Sequence, residues 1–283
     1  MKKFENRPET GYFVIDPAHL AAGLAAAATK KLTAIRVSPL DSRSKNLSFD
    51  PSALIGQTWI RKLVLDEGLT PDPAALVSIQ ALADLQELSM PQWIRLDFSA
   101  FTRLETLVLS KGDALDGLDK ITSLKMLYLI DWQTEALPKE LAGISASEVR
   151  ISASRKLCQI DKLFKCEALR DLTLQDLPKL EVPAKALKLN TLERLNVEKI
   201  GWKDFAFLSS KSLLDLELFT TFESLGFIKQ LPALKRLYIW ECVDGDMNPV
   251  LAHAALEEFY VDKNRKHYTH KESQLQSALQ ARS

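Results

Sequence analysis

Cysteine is scarce: three residues in 283, at 158, 166 and 242. Three scattered thiols exclude a disulfide framework and a zinc knuckle, and they fit a reducing compartment where free cysteine packs as a small core residue. Histidines are few too, with His19, His253, His267 and His270 the full set. His267 and His270 could share a helix face, but acidic or cysteine ligands nearby are sparse, so both are read as solvated tail residues. Net charge is absent as well. Thirty-seven basic residues balance thirty-seven acidic ones, which argues against a nucleic-acid binder, since that class shows a basic excess.

No apolar run reaches the roughly 18 residues of a membrane span. The stretch of residues 20–28 follows Lys2 and Lys3 only after Glu5, Glu9 and Asp16, and Pro17 and His19 interrupt its start. A secretion signal sets its basic residues directly against an uninterrupted apolar segment, so the expectation is a soluble, cytoplasmic protein. Missing too are the P-loop, the dinucleotide glycine fingerprint, the H-E-x-x-H pair and the G-x-S-x-G elbow. No catalytic residue, cofactor site or metal site is assigned, and the chain is not expected to be an enzyme.

Apolar residues, by contrast, are plentiful at 46% and regularly placed. Asp16-Pro17 is a helix start, an N-cap residue followed by proline at the first helical position. The Ala/Leu-rich stretch to Thr29 continues as a helix of high propensity. Then L-x-x-L-x-L begins, first as Leu32/Ile35/Val37. After a polar loop at 41–46 it returns as Ile60/Leu63/Leu65, then Leu85/Leu88/Met90, Leu104/Leu107/Leu109 and Leu124/Leu127/Leu129. A degenerate copy stands at Ala146/Val149/Ile151. Leu169/Leu172/Leu174, Leu192/Leu195/Val197, Leu213/Leu216/Leu218, Leu234/Leu237/Ile239 and Leu256/Phe259/Val261 complete eleven copies. From residue 60 onward the starts are 19 to 25 residues apart. The wider early spacings suggest an insertion near 41–56.

A period in the low twenties with this internal pattern resembles the leucine-rich-repeat family, over residues 32–264. The resemblance implies an α/β solenoid. Short parallel strands form a concave face, and tight helical or 3₁₀ turns return along the convex side. Leu115, Leu118 and Ile121, and Phe222, Leu225, Ile228 and Leu231, have the spacing such returns need. The family's usual Asn or Cys, three places after the triplet, occurs only as Cys242 and Asn264; elsewhere the slot holds residues such as Gly112, Trp132, Leu177, Ile200 and Thr221. Residues 1–31 should cap one end with their helix, and 265–283 the other with a short helix near Gln274–Leu279.

Residues between the inward positions alternate to the opposite side of a strand. The outward slots hold Tyr128, Ile130, Asn196, Glu217, Phe219, Arg236, Tyr238, Trp240 and Tyr260, with Trp132, Glu241 and Asp262 just beyond. These twelve are the candidate partner-binding residues. Strands about 4.8 Å apart would gather Phe219, Tyr238, Trp240 and Tyr260 into one aromatic patch, and Asp215, Glu217, Glu241, Glu258 and Asp262 outnumber Arg194 and Arg236 around it. An aromatic centre with a charged rim is the anatomy of a protein-binding hot spot. The expected partner is another protein, a basic toxin domain being the most specific candidate, with no nucleic acid or membrane involved and the chain monomeric. The most specific role that the family resemblance implies is that of a bacterial immunity protein neutralising a toxin. The alternative is an effector or regulator of a host or endogenous signalling protein.

Overall fold

The computed structural model describes residues 3–40, 47–72, 77–92, 95–183, 187–188 and 190–282. The polar loop expected at 41–46 lies outside the described residues. Two compact units make up the chain: Met1–Ile130 with Gly143–Ala146, and Asp131–Ala142 with Ser147–Ser283.

In the first unit, parallel strands Tyr12–Ile15, Ala34–Val37, Lys62–Leu65, Glu87–Pro91, Thr106–Ser110 and Met126–Ile130 pair in sequence order. Ile35, Leu63, Leu88, Leu107 and Leu127 stand in one register row, all fully buried. Parallel strands need a crossover that returns the chain to the same end. Much of it here is 3₁₀: Pro51–Leu54, Phe98–Ala100 and Leu118–Lys120. Asp50 and Asp97 open two of these by accepting the backbone N–H of Ser52 and Ser99, the N-cap chemistry that favours Asp at such starts. Within the suspected insertion, Leu47–Phe49 pairs in parallel with Leu69–Pro71 as a small separate sheet.

The N-terminal end departs from expectation. The helix Leu20–Thr29 does not cover an open edge; it is the crossover between Tyr12–Ile15 and Ala34–Val37. The edge is taken instead by Phe4–Arg7, which pairs antiparallel with Tyr12–Ile15 through a turn in which Gly11 adopts φ 76°. A short strand carrying Glu5 and Arg7 is a common way to end a sheet without inviting further pairing. The helix buries Leu20, Gly23, Leu24 and Ala27, one face at i, i+3, i+4 and i+7. Gly23 is required there, because a Cβ would lie 2.4 Å from Ile15 Cγ2.

The second unit repeats the plan. Strands Glu148–Ser152, Asp171–Leu177, Arg194–Ile200, Asp215–Phe222, Arg236–Cys242 and Glu258–Val261 form a parallel ladder. Val149, Leu172, Leu195, Leu216, Leu237 and Phe259 share one buried row, so the copy at Ala146/Val149/Ile151 is a full structural member. Its return side holds an aromatic core: Phe205 lies 5.5–6.0 Å, centroid to centroid, from Trp202, Phe207, Phe222 and Phe227. The last strand is covered by helix Glu272–Gln280, which buries Leu275 and Leu279 and donates from Gln276 to the Phe259 carbonyl.

A shared backbone device explains the irregular repeats. Lys111, Asp131, Ala153, Asp176 and Lys199 all stand two places after the last apolar residue of a triplet, and all have φ between 49° and 56°. This left-handed residue turns the chain so that the next one, the family's Asn slot, enters the core. Gly112, Trp132, Ser154, Leu177 and Ile200 are all buried. Trp132, Leu177 and Ile200 fill the slot with apolar bulk, while Ser154 bonds the turn backbone through its hydroxyl, accepting the Trp132 N–H and donating to the Ser152 carbonyl.

Candidate binding face

Alternation along each strand of the second ladder sends one set of side chains inward and leaves the other on the open face. Across that face Thr173, Asn196, Glu217, Tyr238 and Tyr260 are register partners in one row. In the next row Glu198 lies opposite Phe219. The pairing of Asp215–Phe222 with Arg236–Cys242 then shifts between Leu218 and Thr221, a bulge that sets Phe219 and Thr220 beside the single residue Trp240. Phe219 and Tyr238 meet with ring centroids 4.7 Å apart and planes at 35°. Tyr260, 45% exposed, is the most open aromatic of the group. Tyr238 donates its hydroxyl to Asp262 Oδ1 at 3.2 Å.

Charges on this face are largely paired with each other. Arg194 reaches Asp171 at 2.7 Å, and Arg236 reaches Asp215 at 2.6 Å. Glu241 takes Arg265 at 2.8 Å and Lys263 at 3.4 Å; the hydrogen bond from Arg265 above all holds its carboxyl below the usual range. Lys263 also sits 4.8 Å above the Trp240 ring, a cation–π contact within the chain. Glu217 and Asp262 accept from neutral groups instead, the Asn196 amide and the Tyr238 hydroxyl. The acidic rim read from composition is therefore smaller than expected: Asp215 and Glu241 are neutralised, while Glu217 and Asp262 are not ion-paired among the described residues.

Of the twelve candidates, Asn196, Glu217, Phe219, Arg236, Tyr238, Trp240, Glu241, Tyr260 and Asp262 all belong to the second unit and gather near its C-terminal strands. Tyr128 and Ile130 lie in the first unit, half-buried beside Val108 and Ser110. Trp132 is a correction. It is 0% exposed, and its Nε1 donates to Thr134 Oγ1 at 2.7 Å. Asp131, with φ 52°, turns it into the core; its position in the Asn slot was the available signal.

The tail does not cover the aromatic face. Tyr268, 9% exposed, packs at the end of Arg236–Cys242, where its oxygen accepts the Cys242 N–H at 3.0 Å. Around it, the Thr269 N–H donates to the Gly245 carbonyl, the Met247 N–H to Thr269 Oγ1, and His267 Nε2 lies 3.1 Å from the Val243 carbonyl. This clasp fixes residues 265–271 against the loop after the strand.

For chemistry the thiols are poorly placed. Burial, with a hydrogen bond to Asp244, pushes the Cys242 thiol up to about 12, and burial raises Cys166 too; neither is a thiolate near neutral pH. No group of three or more His, Cys, Asp or Glu among the described residues could hold a metal ion, and no helix among them is long and apolar enough to cross a membrane. A cavity of about 550 Å³ opens on the return side beside Ile228, Pro232, Pro249 and His253. His253 is spent within the fold, its Nε2 lying 2.9 Å from the Leu231 carbonyl, so the aromatic face is the better candidate.

Neither a protein-family model nor a curated protein sequence matches the chain. Solved structures do. An internalin of Listeria monocytogenes aligns at TM-score 0.54 and 14% identity, over 96% of this chain and 84% of that one. A leucine-rich-repeat protein of Leptospira interrogans aligns at TM-score 0.40 and 17% identity, over 86% and 81%. With the repeated register rows and the L-x-x-L-x-L copies that fill them, the first of these likenesses identifies the fold: this chain is built as a leucine-rich-repeat solenoid.

Proposed function

We propose that the chain is a non-catalytic scaffold that binds another protein through the open face of its second ladder. One observation carries this reading. Phe219, Tyr238, Trp240 and Tyr260 stand half-buried or exposed on that face, while the tail that could have covered them is tied down elsewhere by Tyr268. Large rigid aromatics, open in the free protein and framed by charge, are the residues from which interfaces draw most of their affinity.

The finer role we propose is that of an immunity protein, acting as a monomer in the cytoplasm and masking a toxin; its support is the family resemblance alone. The test is affinity capture from the native source with the wild-type chain and with a Tyr238→Ala/Trp240→Ala/Tyr260→Ala variant. The expected result is a protein held by the first and lost by the second, with similar melting curves for both. Equal capture by the variant removes the face from the function. Identification of a captured protein that is not a toxin keeps the scaffold and removes the immunity role.

A further inference from the structure

We propose that the aromatic face seats an arginine-bearing basic segment of its partner, with the guanidinium laid on Tyr238 and Tyr260 and held by Glu217, Asp262 and Glu272. This rests on the binding reading above and adds the chemistry of the occupant.

The charge accounting of the face points there. Several carboxylates elsewhere on the second ladder have cations of their own: Asp171 has Arg194, Asp215 has Arg236, and Glu241 has Arg265 and Lys263. Beside Tyr238 this breaks off. Glu217 is bonded to an amide and Asp262 to a neutral phenol. Glu272, in the first turn of the C-terminal helix, is the third carboxylate acting on Tyr238. Besides burial, it is these three carboxylates that hold the phenol's pKa up. Negative potential is therefore left over where open aromatic surface is greatest.

The neighbouring ring shows what satisfies such a place. Trp240 is capped by Lys263, itself bonded to Glu241, an aromatic–cation–carboxylate arrangement made within the chain. Tyr238 and Tyr260, adjacent in register, have the aromatic surface and the carboxylates, but among the described residues no cation is placed over either ring. Arginine fits better than lysine, because a planar guanidinium can stack on a phenol ring and still donate in its own plane to two carboxylates. Charge complementarity thus selects a basic segment over an acidic or purely apolar one.

The experiment is selection from a displayed random-peptide library on the full-length chain, with counter-selection on a Tyr238→Ala/Tyr260→Ala variant. Peptides enriched in arginine are expected. The affinity of the best of them should fall about tenfold on a Glu217→Gln/Asp262→Asn/Glu272→Gln variant whose melting is unchanged. Peptides that are acidic or uncharged, or a basic peptide indifferent to the three neutral substitutions, overturn this proposal and leave the surface standing. Peptides held equally by the tyrosine variant, or no peptide held at all, overturn the surface itself.

Discussion

Two tryptophans that look alike in the sequence should behave very differently when cut back to alanine. Trp132 is fully enclosed, with its indole N–H bonded to Thr134 and its backbone N–H donated to Ser154 Oγ at 2.8 Å. Truncation removes the ring from a core that can relax only in part, at a cost of about 3–5 kcal/mol. Trp240 is half-buried on the face, and its replacement forfeits the Lys263 contact, about 0.5–1 kcal/mol at such a site, plus a fraction of its buried area. For a chain of this size each kcal/mol moves the melting temperature by about 2–4 °C. Trp132→Ala should therefore lower it by about 6–20 °C, and Trp240→Ala by a few degrees. Stability in a stacked array is largely a sum over neighbouring repeats. Hydrogen exchange therefore adds a local reading: amides of Glu148–Ser152, beside the Ser154 partner of Trp132, should lose protection in the first variant and keep it in the second. Far-UV circular dichroism melts and exchange mass spectrometry give both numbers. Equal destabilisation by the two substitutions would refute the division between core and face on which the candidate site depends.

Tyr268→Phe removes the oxygen that accepts the buried Cys242 N–H; an orphaned buried donor costs about 1–3 kcal/mol, and a urea midpoint indistinguishable from wild type would dissolve the proposed clasp. Ala153 adopts φ 52°, where a Cβ is strained and glycine is not. Ala153→Gly should raise stability by a few tenths of a kcal/mol, strain relief slightly exceeding the added chain entropy, and a lower melting temperature would contradict the left-handed turn. Alkali should destabilise the fold. Burial raises the Cys242 thiol to about 12 and the Tyr268 phenol above its ordinary value, so the folded state prefers their protonated forms. The stability this gives is present at neutral pH and is lost as pH climbs past the free-thiol value towards 12. Denaturation midpoints from pH 7 to 11 should fall, less steeply in Cys242→Ala, and a flat profile would remove the linkage.

The core was legible because it is written many times over. A single Leu234/Leu237/Ile239 has many readings, but copies at one period leave one solution, and those three residues are fully buried as required. Legibility failed where the repetition stopped. Tyr12–Ile15 begins the parallel ladder, yet Thr10 stands where the first leucine of its triplet belongs, so Phe13 and Ile15 alone were too short a signal. The hairpin that protects this strand could have been suspected from Pro8 and Gly11 around its turn. Trp132 was misplaced by extending strand alternation past the point where the strand ends; period two holds only while the backbone is extended, and Asp131 breaks it. The rim failed for another reason. Counting acids and bases along the chain says nothing of which side chains meet across strands, and two of the five acids counted are consumed by Arg236, Arg265 and Lys263.

That last failure is also what locates the site more narrowly than composition could. Partners on the face come from different repeats: Asn196 and Glu217 are 21 residues apart, Tyr238 and Asp262 are 24, Arg236 and Asp215 are 21. Each of these contacts therefore joins neighbouring copies without entering the core rows, and a change at one of them leaves the inward positions untouched. A face built this way can satisfy itself, and over much of the second ladder it does, through cross-strand ion pairs that leave a partner little to gain. Affinity must come from what the chain has not already satisfied. Tyr260, the open edge of the Phe219–Tyr238 stack, and the carboxylates of Glu217 and Asp262 are such groups, and they are adjacent. The most informative surface of this protein is thus where its own ladder of pairings is left incomplete.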